Sequence, residues 1–219
     1  MEPFSGRKLA VILHADIVDS TVLVQQNETL AHARIQDVFR KLSLTIKRYG
    51  GNTRELRGDA LVAEFERASD AVCASLDFQA RSAVDLGRPE DSSRDIKPKL
   101  RIGIALGEVV IADDTITGAG VVLAQRLEQI ASPFGVCIQG AAKETIPGRM
   151  PFSYESLGER QLKGFDEPVR VFSVSLDKGA DIPPPETRVS AKTHRSKLSG
   201  WVRVAIGFQT KKTRTNYQY

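Results

Sequence analysis

Two aspartates stand at the mouths of apolar runs. Asp16 closes "KLAVILHAD", and Asp59 precedes "ALVAEF" behind the tight turn at Arg57-Gly58. Two carboxylates held close repel each other, and burial raises the cost further. A divalent cation removes that cost. Mg²⁺ and Mn²⁺ take oxygen ligands, and Mg²⁺ typically uses one or two carboxylates together with substrate phosphates. A paired-metal arrangement, two ions in one site, can activate an attacking oxygen and stabilise a leaving one. Beside Asp16 the segment "IVDST" (17–21) turns into a short helix, and its free backbone N–H groups suit a phosphate chain. These residues set an expectation of phosphoryl chemistry.

The elements that would carry them follow from periodicity. Residues 8–16 form a continuous apolar run, as a buried central strand does. Residues 27–49 show helical spacing (Leu30, Ala33, Ile35, Val38, Phe39, Leu42, Leu44, Ile46), with Asn27 as N-cap and Gly50-Gly51 as the stop. Two short strands flank Gly58-Asp59. A helix over 68–86 follows, with Ser69 as candidate cap and Val72, Leu76, Ala80 and Ala83 on its buried side. The strand "KLRIGIALG" is expected to turn at Gly107 into an antiparallel "EVVIADD". A third helix spans 118–131, and "GVCIQG", "FSYESLG" and "PVRVFSVS" add C-terminal strands. The order strand–helix–strand–strand–helix–strand fits a ferredoxin-like α+β sandwich with extra strands. In that topology the first and third strands are antiparallel neighbours, which brings Asp16 and Asp59 to one sheet edge.

Composition narrows the function. Residues from Asp177 onward hold nine Lys/Arg against three Asp/Glu, which leaves 22 against 24 in the body. The sequence pI of about 9.1 therefore belongs to the tail, and a basic nucleic-acid-binding body is excluded. We divide the chain into a domain over 1–176 and a Pro-containing basic linker or tail over 177–219. Cys73 and Cys137 lie far apart in apolar contexts, as reduced core thiols of a cytoplasmic protein do. No apolar run is long enough to span a bilayer, and "WVRVAIGF" reads as a partly ordered tail, with the stump of a downstream regulatory or membrane segment as the alternative.

Five segments carry a family resemblance: "RKLAVILHADIVDST", "RGDALVAEF", "LRIGIALGEVV", "GAGVVLAQRLEQIASPFGVCIQ" and "LKGFDEPVRVFSV". Together, in order, they resemble the catalytic domain of class III adenylyl/guanylyl cyclases, most closely the bacterial members. The resemblance implies a homodimer with sites at the subunit interface, using ATP or GTP and two Mg²⁺ or Mn²⁺ ions. In the implied reaction the ribose 3′-oxygen attacks the α-phosphate and pyrophosphate leaves. Asp16 and Asp59 match the metal-binding aspartates, with Ile17 beside them as a further metal position. The backbone from Ile17 to Thr21, including Ser20, matches the phosphate-holding turn. Arg126 matches the partner-supplied arginine that stabilises the transition state, and Lys163 matches a lysine on the terminal phosphates.

Several positions depart from the family pattern. Glu55 stands where adenylyl cyclases carry a purine-reading lysine and guanylyl cyclases a glutamate, which can accept from guanine N1–H and N2. The second purine-reading position aligns to Thr115, or to Asp114 with a one-residue shift, and Glu55 with Thr115 leans towards guanine. Val122 replaces an asparagine that orients the ribose, at a cost on the order of 10²–10³ in rate by analogy with oxyanion-hole deletions. Asp19 stands where a small residue is common, and His14, at a usually apolar or aromatic position, is expected to be core. Two functions remain open: a slow nucleotidyl cyclase, and a silent cyclase-like module that binds nucleotide or a partner. A polymerase palm shares the carboxylate topology, but the acidic body and the cyclase segments count against it. A diguanylate cyclase is excluded by the lack of a "GGDEF"-like turn.

Overall fold

Alternation along the first strand decides which layer each side chain joins. In the computed structural model, which describes residues 6–86, 98–112 and 115–186, β1 (Gly6–Ile17) sends Val11, Leu13, Ala15 and Ile17 to one core. Ala10 and Ile12 go to a second core on the opposite face. The same alternation puts His14 and Asp16 on that second face.

The first core is closed by α2 (Glu28–Arg48) and α3 (Ala68–Leu86). A short α1 (Ser20–Gln26) precedes them. As expected, Asn27 caps α2, its side-chain oxygen accepting from the Leu30 N–H at 3.0 Å. The buried stripe of α2 is Ala31, Ile35, Phe39, Leu42 and Ile46; Ala33 and Leu44, placed in it on spacing alone, are exposed. In α3, Ala71, Val72, Ala74 and Phe78 face the core, whereas Ala80 and Ala83 do not. Ser69 is not its cap. The helix already includes Ala68, and the first turn is clasped by Arg67 donating to both Asp70 oxygens at 2.8 and 2.9 Å.

The second core is closed by α4 (Ala119–Ile130), bounded by Gly118 and Ala131 as the spacing predicts. Strands β2 (Asn52–Arg57), β3 (Ala60–Phe65), β4 (Leu100–Ala112), β6 (Val136–Gln139), β7 (Phe152–Arg160) and β8 (Val169–Leu176) complete a mostly antiparallel sheet. Its order is β2-β3-β1-β4-β6-β8-β7, with β5 (Thr115–Thr117) paired to the far end of β4. α5 (Gly140–Glu144) links β6 to β7. The first four strands have the ferredoxin-like arrangement, with β1 between β3 and β4.

One expected turn is absent. β4 runs straight through Gly107, which pairs with Ala10, and the hairpin comes later, between β4 and β5. Gly107 is needed for closeness, not for bending: a Cβ there would lie 2.6 Å from the Cα of Gly120. Gly103 serves the same purpose more severely, since its Cβ would lie 2.1 Å from the Ala124 carbonyl oxygen and 2.3 Å from the Glu128 nitrogen. Gly103→Ala must push α4 off the sheet. We expect a loss of about 2–3 kcal/mol in urea-unfolding stability, from overpacking against backbone that cannot yield.

Candidate active site

The β1–β3 register pairs Asp16 with Ala60, and the Ile17 N–H donates to the Asp59 carbonyl at 3.1 Å. The two aspartates therefore share one sheet edge, as the topology requires. Burial first, then the charge of Asp59, push the Asp16 carboxyl above its ordinary range, while a hydrogen bond from Arg101 pulls against them. On Asp59 the Ser20 hydroxyl donates to one carboxylate oxygen. The Ile17 side chain is buried in the core, so only its carbonyl oxygen could ligate.

This donor set consists of oxygens. Among the described residues there is no group of three or more His, Cys, Asp or Glu placed to hold a metal by themselves. Two carboxylates with a carbonyl and a hydroxyl suit a hard cation that completes its shell from a bound phosphate. The Ile17 and Val18 N–H groups are committed to the Asp59 and Lys99 carbonyls. That leaves the turn from Asp19 to Thr21 as the part of 17–21 able to face an anion. Asp19 takes a left-handed conformation there, φ 53°, which explains a small residue at this position; Asp is one of the few side chains that tolerates it. Its side chain makes no capping bond.

Glu55 reaches the second expected base-reading segment directly. One of its oxygens accepts from the Ile116 N–H at 3.0 Å, and the other lies 2.7 Å from Arg57 Nε. Glu55 and Thr115 are thus neighbours across β2 and β5, while Asp114 lies outside the described residues. Arg126 and Lys163 form a separate group: Arg126 Nε donates to the Lys163 carbonyl at 3.4 Å, and its NH1 to Gln129 at 3.1 Å. Val122 is 39% exposed, one helical turn before Arg126 on the outer face of α4.

Sequence reasoning missed two residues. Arg101 lies directly opposite Asp16 in the β1–β4 register, and its NH2 donates to Asp16 at 2.9 Å. Its Nε lies 3.0 Å from Glu128, a carboxylate only 2% exposed on the buried face of α4. The signal was a lone charge inside "LRIGIALG" and a lone acid in the buried stripe of the third helix. His14 is core as expected, but it stands 3.7 Å from Glu128.

Burial holds His14 down at about 4 and, with help from Asp16, pushes Glu128 up to about 7. Glu128 keeps a proton in the fold that the unfolded chain releases near 4.5, so it contributes stability at acid pH that is lost as pH rises through 7. His14 has the opposite slope: the unfolded chain takes a proton below 6.5 that folded His14 refuses until about 4. The two largely offset each other. His14→Phe should leave the Glu128 slope exposed, with a melting temperature that falls from pH 5 to pH 7 more steeply than in the wild type.

Comparisons with known proteins set the chain beside cyclase domains. An adenylate/guanylate cyclase/hydrolase from Silicibacter pomeroyi has a crystal structure that superposes with TM-score 0.68 at 30% identity, covering 78% of this chain and 99% of that one. The guanylate cyclase domain of RhGC from Catenaria anguillulae, solved with GTP, superposes with TM-score 0.66 at 20% identity, over 78% of this chain and 99% of that one. A Rhizobium meliloti protein, whose name carries adenylate cyclase as a provisional assignment, is 33% identical over 183 residues. An uncharacterised Mycobacterium tuberculosis protein is 29% identical over 187 residues. The matches cover 81% and 83% of this chain, but only 30% of the Rhizobium protein and 61% of the Mycobacterium protein. No protein-family model matches the chain. Among the described residues no helix is long and apolar enough to cross a membrane. On its fold and on a relative matched over nearly its whole length, the chain belongs to the class III adenylate/guanylate cyclase catalytic-domain family.

Proposed function

We infer that the protein converts a purine nucleoside triphosphate to a 3′,5′-cyclic nucleotide and pyrophosphate, as a homodimer with two divalent cations in each site. The observation that carries this reading is the carboxylate pair at one sheet edge, Asp16 pushed up by burial and by Asp59, with the Ser20 hydroxyl and the Ile17 carbonyl as further oxygens beside it. Asp16, Asp59 and the Ile17 carbonyl would hold Mg²⁺ or Mn²⁺, which supply activation of the 3′-hydroxyl and neutralisation of phosphate charge. The turn from Asp19 to Thr21 receives the triphosphate. Glu55, braced by Arg57 and Ile116, meets the base edge, and its acceptors favour guanine.

Arg126 and Val122 lie on the outer face of α4, where a second subunit can use them. Arg126 stabilises the charge that develops on the transferred phosphoryl group, and Lys163, whose carbonyl it holds, contacts the terminal phosphates.

A second reading, nucleotide binding without turnover, is favoured by Val122, which can neither donate nor accept a hydrogen bond. Subunit mixing tests the proposal. Asp59→Ala and Arg126→Ala homodimers should each be inactive, and their heterodimer should contain one intact site. Random reassortment should then return about a quarter of wild-type cyclic-nucleotide production. Heterodimers that form without recovering product would overturn the shared site.

A further inference from the structure

Strand alternation and register converge on one buried cluster beneath the carboxylate pair. His14 and Asp16 project from β1 to the α4 side; Gly103 and Arg101 lie opposite them on β4. Because Gly103 has no side chain, the α4 backbone descends onto the sheet and delivers Glu128 below Asp16. An ionised carboxylate 2% exposed needs a partner charge, and Glu128 has one in Arg101, an ion pair with Nε 3.0 Å away that is not aligned as a hydrogen bond. The same guanidinium gives its NH2 to Asp16 at 2.9 Å. One guanidinium therefore serves two carboxylates, hydrogen-bonded to Asp16 and ion-paired with Glu128. Among the hydrogen bonds and ion pairs around these groups, none joins Glu128 directly to Asp16.

We propose that Glu128 is a positioning residue for the metal-binding carboxylates, sharing the Arg101 guanidinium with Asp16 and so setting how readily Asp16 accepts a divalent cation. The proposal rests on the metal reading above. While Glu128 holds Nε, Arg101 has two anions to satisfy and its grip on Asp16 is divided. Above pH 7, where Glu128 has released the proton that burial holds on it, loss of its charge brings two changes with the same sign. Arg101 turns wholly to Asp16, and the site loses a negative charge from a buried position where charges act strongly. Both weaken cation binding.

The test is direct Mn²⁺ titration of the full chain, without nucleotide and at a pH above 7 where Glu128 is ionised, followed by the electron paramagnetic resonance signal of the free ion. Glu128→Gln, which keeps the shape, should weaken Mn²⁺ binding about tenfold or more. Glu128→Asp, which keeps the charge, should stay within about threefold of wild type even if its melting temperature drops. Glu128→Gln combined with Arg101→Gln removes both charges, frees Asp16, and should recover most of the lost affinity. A purely structural role would lower the melting temperature of all three and give no such recovery. Wild-type affinity in Glu128→Gln, or a loss that the double variant does not restore, overturns the proposal. Equal Mn²⁺ binding by wild type and Asp59→Ala would overturn the metal reading itself, and the proposal with it.

Discussion

Asp59→Ala should abolish cyclic-nucleotide formation while leaving the protein folded. The backbone carbonyl of Asp59, not its side chain, accepts from Ile17 and ties β1 to the turn before β3. Truncation to alanine therefore keeps that link and removes only a carboxylate whose side-chain partner is the Ser20 hydroxyl. The stability change should stay within about 1 kcal/mol, as for a partly exposed polar residue outside the core. The chemical loss is far larger. With one carboxylate gone, Asp16 and its Arg101 partner would present too little negative charge to hold the proposed pair of cations. Metal ions contribute several kcal/mol of charge stabilisation to such a transition state, on the order of three decades in rate. Urea unfolding and product assay on the same preparation separate the two effects. Turnover within a fewfold of wild type would remove Asp59 from the metal site.

Val122→Asn should act in the opposite direction and raise the rate. Position 122 lies on the outer face of α4, away from the buried stripe of Leu123, Ala124, Leu127 and Glu128, so the exchange leaves the core alone. Val and Asn have similar helix propensities, and the expected stability change is within about 0.5 kcal/mol. What changes is chemistry: an amide that can donate and accept now stands one turn from Arg126. If that face meets the ribose, one well-placed hydrogen bond is worth on the order of 10²-fold in kcat. A flat response, with the fold intact, would mean that this face of α4 does not meet substrate.

Much of this was legible in the chain because local pattern and topology agree. The βαββαβ order and the antiparallel neighbours β1 and β3 follow from periodicity, and with them the meeting of Asp16 and Asp59. Individual helix faces were less legible. Ala33, Leu44, Ala80 and Ala83 fit an apolar stripe by spacing yet lie outside, because alanine and single leucines are common on surfaces. Gly107 reads as a turn in the sequence because glycine serves both bending and close approach, and only the position of α4 distinguishes them. The Asp16–Arg101–Glu128 link was invisible for a similar reason. Its members come from three elements: strand register places Arg101 beside Asp16, and the close packing of α4 on Gly103 places Glu128 beneath. The basic stretch over 187–219, with "WVRVAIGF", lies outside the described residues.

The most direct measurement is incubation of the purified wild-type protein with Mn²⁺ and either ATP or GTP, with products identified by mass. Equimolar 3′,5′-cyclic nucleotide and pyrophosphate should appear from at least one nucleotide, with GTP favoured by the acceptors of Glu55. Nucleotide bound but recovered unchanged from both reactions would contradict catalysis and leave a binding module in its place.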